Sequence, residues 1–455
     1  MRTSIINNAV TTGVLEHQPK RILFANFPAD GHFNPLTGLA VYLKKLGYDV
    51  RWYTSVTYTE KLRKLNIRHY RFIKAKEVIN NNFDEAFPER TKLKNNVKKL
   101  VYDIINAFIL RAPEYYEDML EIRKSFPFDM VICDCAFSAI PFIKEKINVP
   151  VVAVGVMPLN ATSKDLPPSG LGLTPSNSFF GRRKQALLRF VASKILFAKP
   201  DRVMQQLFTK YGIHAKGINL FDVFIRKSTI VLQSGTPGFE YKRSDLGKNI
   251  HFIGALLPLT LREEKRWYNS KIIEYDKIVL VTQGTVEKDT SKLLAPTLEA
   301  FRNTDRLVIV TTGGTGTQEL RKKYPDDNFI IEDFIPFNDV MPYADVYITN
   351  GGYGGVMLGI QNKLPMVVAG VHEGKNEINA RVGYFKIGIN LRTETPVPSQ
   401  IRESVEQVLH DNTYAANVKM LCAEFSQYNT HKLCAQHIEK ILNSQSILQK
   451  QLIYN

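Results

Sequence analysis

Apolar residues follow two alternating patterns along the chain, short continuous runs and helical spacings. The run from Arg21 to Phe27 is typical of a buried strand, and the apolar residues after it lie at positions 36, 39, 40 and 43. That three-four spacing predicts a helix. Gly47 ends the helix, and Asp49 to Thr54 is the next predicted strand. A strand, a helix and a strand in this order predict a parallel unit with a right-handed crossover.

The same alternation continues through the first half of the chain. Further strands are predicted at 130–133, 151–154 and 229–232, with helices between them. The clearest helix spans Leu93 to Phe108, because its apolar residues fall on one face. The first half is therefore predicted to be a parallel sheet covered by helices.

The pattern restarts after the segment 241–275, which is rich in turn residues, lacks periodicity and is predicted to be a linker. Strands predicted beyond it are 277–282, 307–311, 329–332, 346–349 and 365–369, and helices include 291–302, 400–409 and 433–442. We expect an α/β protein with two doubly wound parallel-sheet domains, residues 21–240 and 276–455, after an extension of residues 1–20. The last helix is expected to pack back on the first domain. Ligands bind beyond the carboxyl ends of the strands in such sheets, so two facing sheets form one interdomain cleft.

Size and composition agree with this division. A chain of 455 residues with 44% apolar content can bury two ordinary cores. Its four cysteines, Cys133, Cys135, Cys422 and Cys434, are too few for a disulfide scaffold, and we interpret them as structural thiols and not as a metal pair. Residues 1–19 lack the features of a signal peptide, and no window reaches the roughly 20 apolar residues that cross a bilayer. A cytoplasmic enzyme is expected.

The net charge of +16 raises the question of nucleic-acid or membrane partners. The basic clusters alternate with helical apolar positions, which a solvated helix face explains, and no nucleic-acid partner is expected. The segment from Phe179 to Lys199 is the best candidate for contact with a membrane surface, because it combines large apolar side chains with basic ones. Membrane contact is an alternative and is not the favoured interpretation.

Residues 349–359 join a predicted strand to a helix through a glycine-rich turn. Five glycines fall within nine residues, namely Gly351, Gly352, Gly354, Gly355 and Gly359. They remove side chains that would block a bulky anion, while the free N–H groups at the start of the helix point at it. The motif predicts a diphosphate site. The alternative is a loop that merely turns tightly.

His32 follows the first strand, in the sequence Phe27-Pro-Ala-Asp-Gly-His-Phe-Asn-Pro35. We predict that it lies on a loop at the carboxyl end of a buried strand. An imidazole there is suited to removing a proton from a hydroxyl group near neutral pH. The alternative is a structural histidine.

Asp134 ends the predicted strand 130–133 and is expected at the same sheet edge as His32. Its carboxylate could accept a hydrogen bond from the imidazole, fix its tautomer and stabilise the imidazolium. Alternatively, Asp134 caps a helix that begins near Ala136.

Together, the segment Phe27 to Leu39, Asp134, the motif Thr282-Gln-Gly-Thr285 and the glycine-rich turn with Asn379-Ala380 resemble family 1 glycosyltransferases. The likeness is to the bacterial macrolide and flavonoid type, which is similar to the plant and animal UDP-glycosyltransferases, and it covers about residues 21–441. It implies the GT-B fold and an inverting mechanism without a metal. It also implies a nucleotide sugar as co-substrate, held mainly by the C-terminal domain, with no other cofactor.

The resemblance makes His32 the general base and Asp134 its partner. Phe334 falls where the family has an aromatic ring that stacks on the nucleobase, unless it is a core ring. Ile335 would present backbone groups to the base edge, and Thr285 would lie by the diphosphate unless its hydroxyl only serves a turn. The residues implied to bind the donor are Gly284, Thr285, Phe334, Ile335, Asn350, Gly351, Gly352, Tyr353, Gly354, Gly355, Leu358, Glu373, Lys375 and Asn376.

The chain departs from the family at several of these positions. Asn350 stands where the family has a histidine, and Gly354-Gly355 replace an asparagine and a serine. An amide and bare N–H groups can still bind a diphosphate, with fewer hydrogen bonds. Leu358 replaces the glutamate that bonds the ribose hydroxyls. The family's later acidic residue and glutamine, which read the sugar, are also missing, and His372 to Asn376 stand near their place.

These features predict transfer of a hexose to a hydroxyl group of a small apolar acceptor, such as a flavonoid or macrolide. Leu358 favours a dTDP-activated deoxyhexose, with rhamnose as the leading candidate, over UDP-glucose. Other hypotheses are a UDP-glucose-dependent transferase, a transferase for lipid acceptors at a membrane surface, and a non-catalytic activator that binds nucleotide sugars. Candidate acceptor-lining residues are Phe87, Phe137 and Met157.

Overall fold

Two parallel sheets form the framework of the protein. The computed structural model describes residues 19–78, 83–259, 266–284 and 287–454. The strands of the first sheet are β1 Arg21–Ala25, β2 Asp49–Thr54, β3 Arg68–Arg71, β4 Met130–Asp134, β5 Val151–Gly155, β6 Ile230–Gln233 and β7 Ile250–Phe252. Those of the second are β8 Lys277–Thr282, β9 Arg306–Thr311, β10 Phe329–Glu332, β11 Val346–Thr349, β12 Met366–Val368 and β13 Gly388–Asn390. The strand orders are β3-β2-β1-β4-β5-β6-β7 and β10-β9-β8-β11-β12-β13.

Helices cover both faces of each sheet. In the first half they are α1 Asp30–Lys45, α2 Thr59–Lys64, α3 Phe83–Ala86, α4 Asn96–Asp103, α5 Ala112–Ser125, α6 Ile140–Phe142, α7 Phe179–Val191, α8 Ala198–Tyr211 and α9 Leu220–Lys227. In the second half they are α10 Leu294–Ala300, α11 Thr317–Lys323, α12 Phe337–Val340, α13 Tyr353–Gln361, α14 Lys375–Tyr384, α15 Pro398–His410, α16 Asn412–Phe425 and α17 Thr430–Tyr454. The central strands are therefore apolar on both sides, as parallel sheets require.

The expected fold class is confirmed, with two parallel α/β sheets in tandem. The last helix, α17, packs back on the first half, where Cys434, Ile438 and Leu442 join the core that also contains Leu36 and Leu39 of α1. The rings of Tyr42 and His431 stack at 5.5 Å in the same contact. Within the described residues no helix is both long enough and apolar enough to cross a membrane.

Several elements differ from the expected bounds. The helix predicted from Leu93 begins at Asn96, because the side chain of Asn95 accepts hydrogen bonds from the N–H groups of Val97 and Lys98 and so caps it. Strand β7 lies inside the segment 241–275 that was predicted to be a linker, and it pairs with β6. This part of the segment therefore extends the first sheet. The apolar pattern did not reveal β7 because the strand is only three residues long.

A buried cluster of charges joins the two halves at the end of the first sheet. Glu240 accepts hydrogen bonds from Arg381 of α14 at 2.6 Å and from Arg243 at 3.3 Å. All three side chains are almost completely buried. Burial by itself would lower the pKa of Arg381, but the charge of Glu240 raises it, whereas burial keeps the pKa of Arg243 below its usual value. The carboxylate therefore holds two buried cations, one on each side of the domain boundary.

We predict that Glu240→Gln lowers the stability of the protein by about 3–5 kcal/mol, because the buried guanidinium of Arg243 loses its paired carboxylate and that of Arg381 keeps only Glu377. Thermal unfolding measures the effect. Glu60→Gln is the matched control, since Glu60 pairs with Arg63 on the open surface and its loss should cost less than about 0.5 kcal/mol. Equal melting temperatures for the two variants would show that the buried cluster does not stabilise the protein.

Candidate active site

The carboxylate of Asp134 lies at the carboxyl end of β4, beside the end of β1. The strands pair so that Ala25 faces Cys133, which brings Asp134 next to the loop after β1. Its Oδ2 accepts the N–H of Phe27 at 2.6 Å, and its Oδ1 accepts the N–H of Ala136 at 2.8 Å. Asp134 does not cap a helix near Ala136, because helix α6 begins at Ile140.

His32 completes this arrangement. Its Nδ1 lies 2.7 Å from Oδ1 of Asp134, and its side chain is 15% exposed. The structure places His32 in the first turn of α1, whereas the sequence predicted a loop; the helix begins at Asp30, two residues earlier. The carboxylate can only accept, so Nδ1 carries the hydrogen of this bond and Nε2 keeps a free lone pair. A Cβ added at Gly31 would meet no atom within 4 Å, so there is open space beside the histidine.

Asn26, which the sequence analysis did not identify, supports the loop between β1 and α1. It is completely buried, its Oδ1 accepts the indole N–H of Trp52 at 2.8 Å, and its Nδ2 donates to the carbonyl of Phe27 at 2.6 Å. These bonds fix the backbone between β1 and α1. The Asn26-Phe27 pair directly after a buried strand was the available signal.

A group of phenyl rings lies against the imidazole. Phe27 meets the ring of His32 edge-on at 5.5 Å and stacks on Phe108 at 4.4 Å, with Phe83 at 6.2 Å on a parallel plane. Phe87, one of the predicted acceptor-lining residues, lies 6.4 Å from Phe83. Phe83 and Phe108 were not predicted, because they lie far from His32 in the sequence.

The other two predicted acceptor-lining residues differ in burial. Phe137 is completely buried in the core of the first sheet, 4.8 Å from the ring of Tyr115, so its ring is not open to solvent. Met157 is half-buried, and its carbonyl accepts a hydrogen bond from Gln233 at 2.8 Å.

The cysteines near Asp134 are not reactive. Cys133 and Cys135 are free thiols, and burial, followed by the nearby charge of Asp134, raises the pKa of Cys135 to about 12 and that of Cys133 well above its ordinary value. Both stay protonated at neutral pH, as structural thiols do. In the described part of the chain no group of three or more His, Cys, Asp or Glu side chains is arranged to hold a metal ion.

The glycine-rich turn lies between β11 and α13, as predicted. Gly352 is the N-cap of α13, and Val356 is the first residue whose N–H bonds within this helix, to the carbonyl of Gly352 at 3.0 Å. The N–H groups of the first turn therefore face outward from the helix start. A Cβ added at Gly354 would meet nothing within 4 Å, so this end of α13 is open to a ligand.

Side-chain amides make hydrogen bonds with the backbone of the turn and of its neighbouring loops. Asn350 donates to the carbonyl of Gln283 after β8, and its Oδ1 accepts the N–H of Gly352 at 3.3 Å. Asn379 donates to the carbonyl of Gly370 at 2.9 Å. The amide of Asn350 is thus bonded to backbone on both sides, although the sequence analysis treated it as a replacement phosphate ligand.

The other residues predicted to bind the donor differ in how exposed they are. Phe334 follows β10, is 67% exposed, and lies across from Gly314, where an added Cβ would be 3.3 Å from its ring. It is therefore not a core ring, and one face is free for stacking. Ile335 is buried in the core of the second sheet. Leu358 is half-buried and packs against that core. Gly284 is exposed with φ of 78°, and Thr285 lies outside the described residues.

The first turn of α14 connects this site to the first domain. Asn376 donates to the carbonyl of Gly170 at 2.9 Å, and Glu377 accepts the N–H groups of Gly170 and Gly172, each at 2.8 Å. Tyr353 makes a similar contact, because its hydroxyl donates to the carbonyl of Ser234 at 2.7 Å. Asn376 and Tyr353, both predicted to bind the donor, thus also bridge the domains.

One lysine lies beside the glycine-rich turn, and a second lies in the loop after β8. A Cβ added at Gly370 would be 3.1 Å from Cδ of Lys375 and would also touch the backbone of Asn350, and Nζ of Lys375 is 2.7 Å from Glu373. Lys292 pairs with Glu287 at 2.5 Å, and this hydrogen bond raises the pKa of Lys292. Lys292 was not predicted; its place in the loop after β8 was the only signal.

The two halves of the site lie on elements that contact each other. Helix α1 carries His32 in its first turn, and it contacts helix α13, which begins at the glycine-rich turn. A base paired with a carboxylate and a helix N-terminus that suits an anion therefore lie on neighbouring helices. The arrangement can remove a proton from one molecule while stabilising negative charge on another.

Comparisons with known proteins agree with this geometry. Residues 295–441 match the family model for the C-terminal domain of proteins like the erythromycin biosynthesis protein CIII. The chain is 29% identical over 409 residues to 4′-demethylrebeccamycin synthase of Lentzea aerocolonigenes, covering 89% of this chain and 96% of the relative. It is 28% identical over 442 residues to UDP-glycosyltransferase 2 of Phaeomoniella chlamydospora, covering 92% and 95%.

Solved structures with a similar fold include the calicheamicin glycosyltransferase CalG4, with a TM-score of 0.73, 18% identity and coverage of 94% of this chain and 99% of that chain. The spinosyn rhamnosyltransferase SpnG complexed with thymidine diphosphate has a TM-score of 0.61 and 13% identity, with coverage of 92% and 100%. At these identities the likeness concerns the fold.

We predict that Gly351→Ala disrupts the turn, because φ is 82° and an added Cβ would lie 1.7 Å from Oδ1 of the buried Asn379. The backbone strain alone costs about 1–3 kcal/mol, before any clash. Gly354→Ala is the matched control, since its Cβ has free space within the helix and should change stability by less than about 1 kcal/mol. A comparison of melting temperatures tests the pair, and unchanged stability of Gly351→Ala would contradict the described turn geometry.

Proposed function

Since the chain is a family 1 glycosyltransferase with the GT-B fold, we propose that it moves a hexose from a nucleoside diphosphate to a hydroxyl group of a small apolar natural product. The proposal includes inversion at the anomeric carbon and no metal. The observation that supports it is the His32–Asp134 pair, with His32 on a helix that contacts the helix of the glycine-rich turn. The N-terminal domain, residues 21–240, would hold the acceptor and residues 276–455 the donor.

His32 acts as the general base in this proposal. Its Nδ1 is bonded to Asp134, so Nε2 accepts the proton of the acceptor hydroxyl as that oxygen attacks the anomeric carbon. The bond from the anomeric carbon to the diphosphate breaks at the same time, and the diphosphate takes the electron pair. Asp134 stabilises the imidazolium that forms.

The leaving diphosphate is stabilised by backbone groups and nearby cations. The N–H groups of the first turn of α13 point toward it, and the helix dipole favours its charge. Lys375 lies beside the same turn and Lys292 lies in the loop after β8, each paired with a glutamate. These groups take the role that a metal ion has in other transferases.

The acceptor site is proposed at the phenyl rings beside His32. Phe27, Phe83 and Phe108 form a stacked group in edge contact with the imidazole. Aromatic surfaces of this kind bind flat apolar molecules such as a flavonoid or a macrolide ring. A hydroxyl group of such a molecule could then reach Nε2 of His32.

For the donor, we favour dTDP-rhamnose over UDP-glucose because of Leu358. An alkyl side chain at this half-buried position cannot bond a ribose 2′-hydroxyl, and burial of that hydroxyl without a partner costs about 1–3 kcal/mol. Both nucleotides have precedents, because the fungal relative is named a UDP-glycosyltransferase and the spinosyn rhamnosyltransferase is complexed with thymidine diphosphate. UDP-glucose therefore stays the second candidate.

We predict that His32→Ala lowers turnover by roughly two to four decades while donor binding is retained, because the base contacts the acceptor and the donor is on the other domain. Asp134→Asn should also reduce turnover strongly, since an amide does not stabilise the imidazolium. Turnover is measured with EDTA present and donor binding by calorimetry.

His410→Ala serves as the control for these variants, because His410 is exposed on α15. The turnover of this variant should equal that of the wild type. If His32→Ala retains more than about a tenth of the turnover, the histidine is not the base. A protein with bound donor and no turnover in any variant or in the wild type would instead support the non-catalytic activator.

We predict a higher specificity constant for each dTDP donor than for its UDP counterpart. Competition kinetics with dTDP-rhamnose, UDP-rhamnose, dTDP-glucose and UDP-glucose on one flavonol measure the ratio. Leu358→Glu should move the ratio toward UDP by roughly tenfold, while the control Leu358→Met leaves it unchanged. A preference of the wild type for either UDP donor would refute this donor assignment.

A further inference from the structure

Helix α7 and the π-helical turn Ala192–Leu196 that continues it present large apolar side chains to solvent. Phe180 is 80% exposed and Ile195 is 73% exposed, and Leu187 and Val191 lie between them at helical spacing on the same side. We call this side the apolar strip; its members are Phe179, Phe180, Leu187, Phe190, Val191 and Ile195. A surface helix normally turns such residues toward the core.

The opposite side of the helix is bound to the protein by polar contacts. Gln185 is buried, and its amide exchanges two hydrogen bonds of 3.0 Å with the backbone of Ser176. Arg189 donates to the carbonyl of Leu166 at 2.5 Å. The inward side thus combines these polar groups with the small Ala192 and the half-buried Leu188, while the larger apolar side chains of the strip face outward. Folding of the single chain gives no reason for this orientation, because exposure of apolar surface costs free energy.

The charged residues within the segment that carries the strip are all basic, and the carboxylates nearest in the sequence are Asp165 and Asp201 at its two ends. Residues 166–200 contain no aspartate or glutamate, whereas basic side chains recur along the helix. The cation of Arg183 lies over the ring of Phe179 at 4.7 Å. The exposed basic residues next to the strip are Arg182, Arg183, Lys184, Lys194 and Lys199.

We propose that the apolar strip docks on the surface of an anionic phospholipid bilayer, with the helix lying in the plane of the interface. Phenylalanine and aliphatic side chains enter the region between headgroups and acyl chains, and lysine and arginine bind the lipid phosphates. A protein partner fits less well, because lysine is depleted in protein interfaces and residues 166–200 offer no carboxylate of their own to pair with one.

The position of the strip also indicates how the acceptor reaches the enzyme, an inference that rests on the proposed function. The loop leading into α7 contacts the donor domain, through Gly170 and Gly172 with Glu377. The docked helix therefore follows a segment that closes the domain boundary. An apolar acceptor dissolved in the bilayer would reach the enzyme from this side, so the acceptor class is membrane-partitioned hydroxylated molecules.

Vesicle sedimentation tests the docking itself, independently of catalysis. We expect the full chain to bind vesicles of phosphatidylcholine and phosphatidylglycerol in equal parts at low salt, and to bind pure phosphatidylcholine weakly. High salt should weaken the binding. The triple variant Phe180→Ser, Leu187→Ser, Ile195→Ser and the double variant Arg183→Glu, Lys184→Glu should each lower the partition coefficient at least about tenfold.

Matched control variants change exposed apolar or basic side chains that lie outside the apolar strip. Ile273→Ser and Met420→Ser delete apolar side chains that are also exposed, Ile273 at 78%, and Lys322→Glu with Lys419→Glu reverses two basic residues of the second half. These variants should bind vesicles like the wild type. Absence of binding, binding that the strip variants do not reduce, or a dimer in light scattering that the triple variant dissociates would each overturn the proposal.

Activity separates this proposal from the proposed function. The strip variants should turn over a water-soluble flavonol like the wild type and lose rate only with an acceptor carried in anionic vesicles. Equal rates for both acceptors in all variants would refute delivery from the bilayer while leaving the transferase function intact. Loss of all turnover in the wild type would refute the transferase function while leaving vesicle binding to be judged by sedimentation.

Discussion

The carboxylate of Asp134 is completely buried, and hydrogen-bond donors from three separate segments converge on it. They are the N–H of Phe27 after β1, the imidazole of His32 in α1 and the N–H of Ala136 beyond β4. A buried carboxylate is tolerated only when its oxygens accept hydrogen bonds, so these three segments must come together in the folded first domain. The pairing of β1 with β4 makes this possible, and the orientation of His32 follows from it.

The second constraint is the charge cluster around Glu240. Arg381 belongs to α14, the helix that also carries Glu377. The carboxylate of Glu377 accepts a hydrogen bond from the backbone N–H of Gly170. The cluster and the loop contact thus hold one helix of the second half against two parts of the first. Because buried pairs lose much stability when one member is removed, the domain boundary is fixed at this point. The two halves of the candidate site are thereby held in a fixed relative position.

The two sides of the site use different chemistry. Around His32 the surface consists of phenyl rings, whereas the turn before α13 consists of backbone N–H groups with lysines at its edge. Side-chain amides near the turn, such as Asn350 and Asn379, are bonded to backbone and shape the turn. Recognition by backbone fits an anion, while a ring wall fits a neutral apolar molecule. The arrangement thus suits two substrates of opposite polarity.

The sequence alone determined the fold class and the two ends of the site. Strands buried on both faces appear as continuous apolar runs, so β1, β4 and β11 were predicted, and with them the places of His32, Asp134 and the glycine-rich turn. Strands β3, β7 and β13 were missed because their sequences, Arg-His-Tyr-Arg, Ile-His-Phe and Gly-Ile-Asn, do not form continuous apolar runs.

Only the tertiary structure decided which side chains meet. Phe83 and Phe108 join Phe27 beside His32 although the chain separates them by many residues, and Asn376 and Tyr353 bond to the first domain. The exposed side of α7 was decided in the same way: its pattern predicts an amphipathic helix, but the contacts of Gln185 and Arg189 determine which face is outward. Periodicity describes one element at a time, whereas these contacts depend on how distant elements pack.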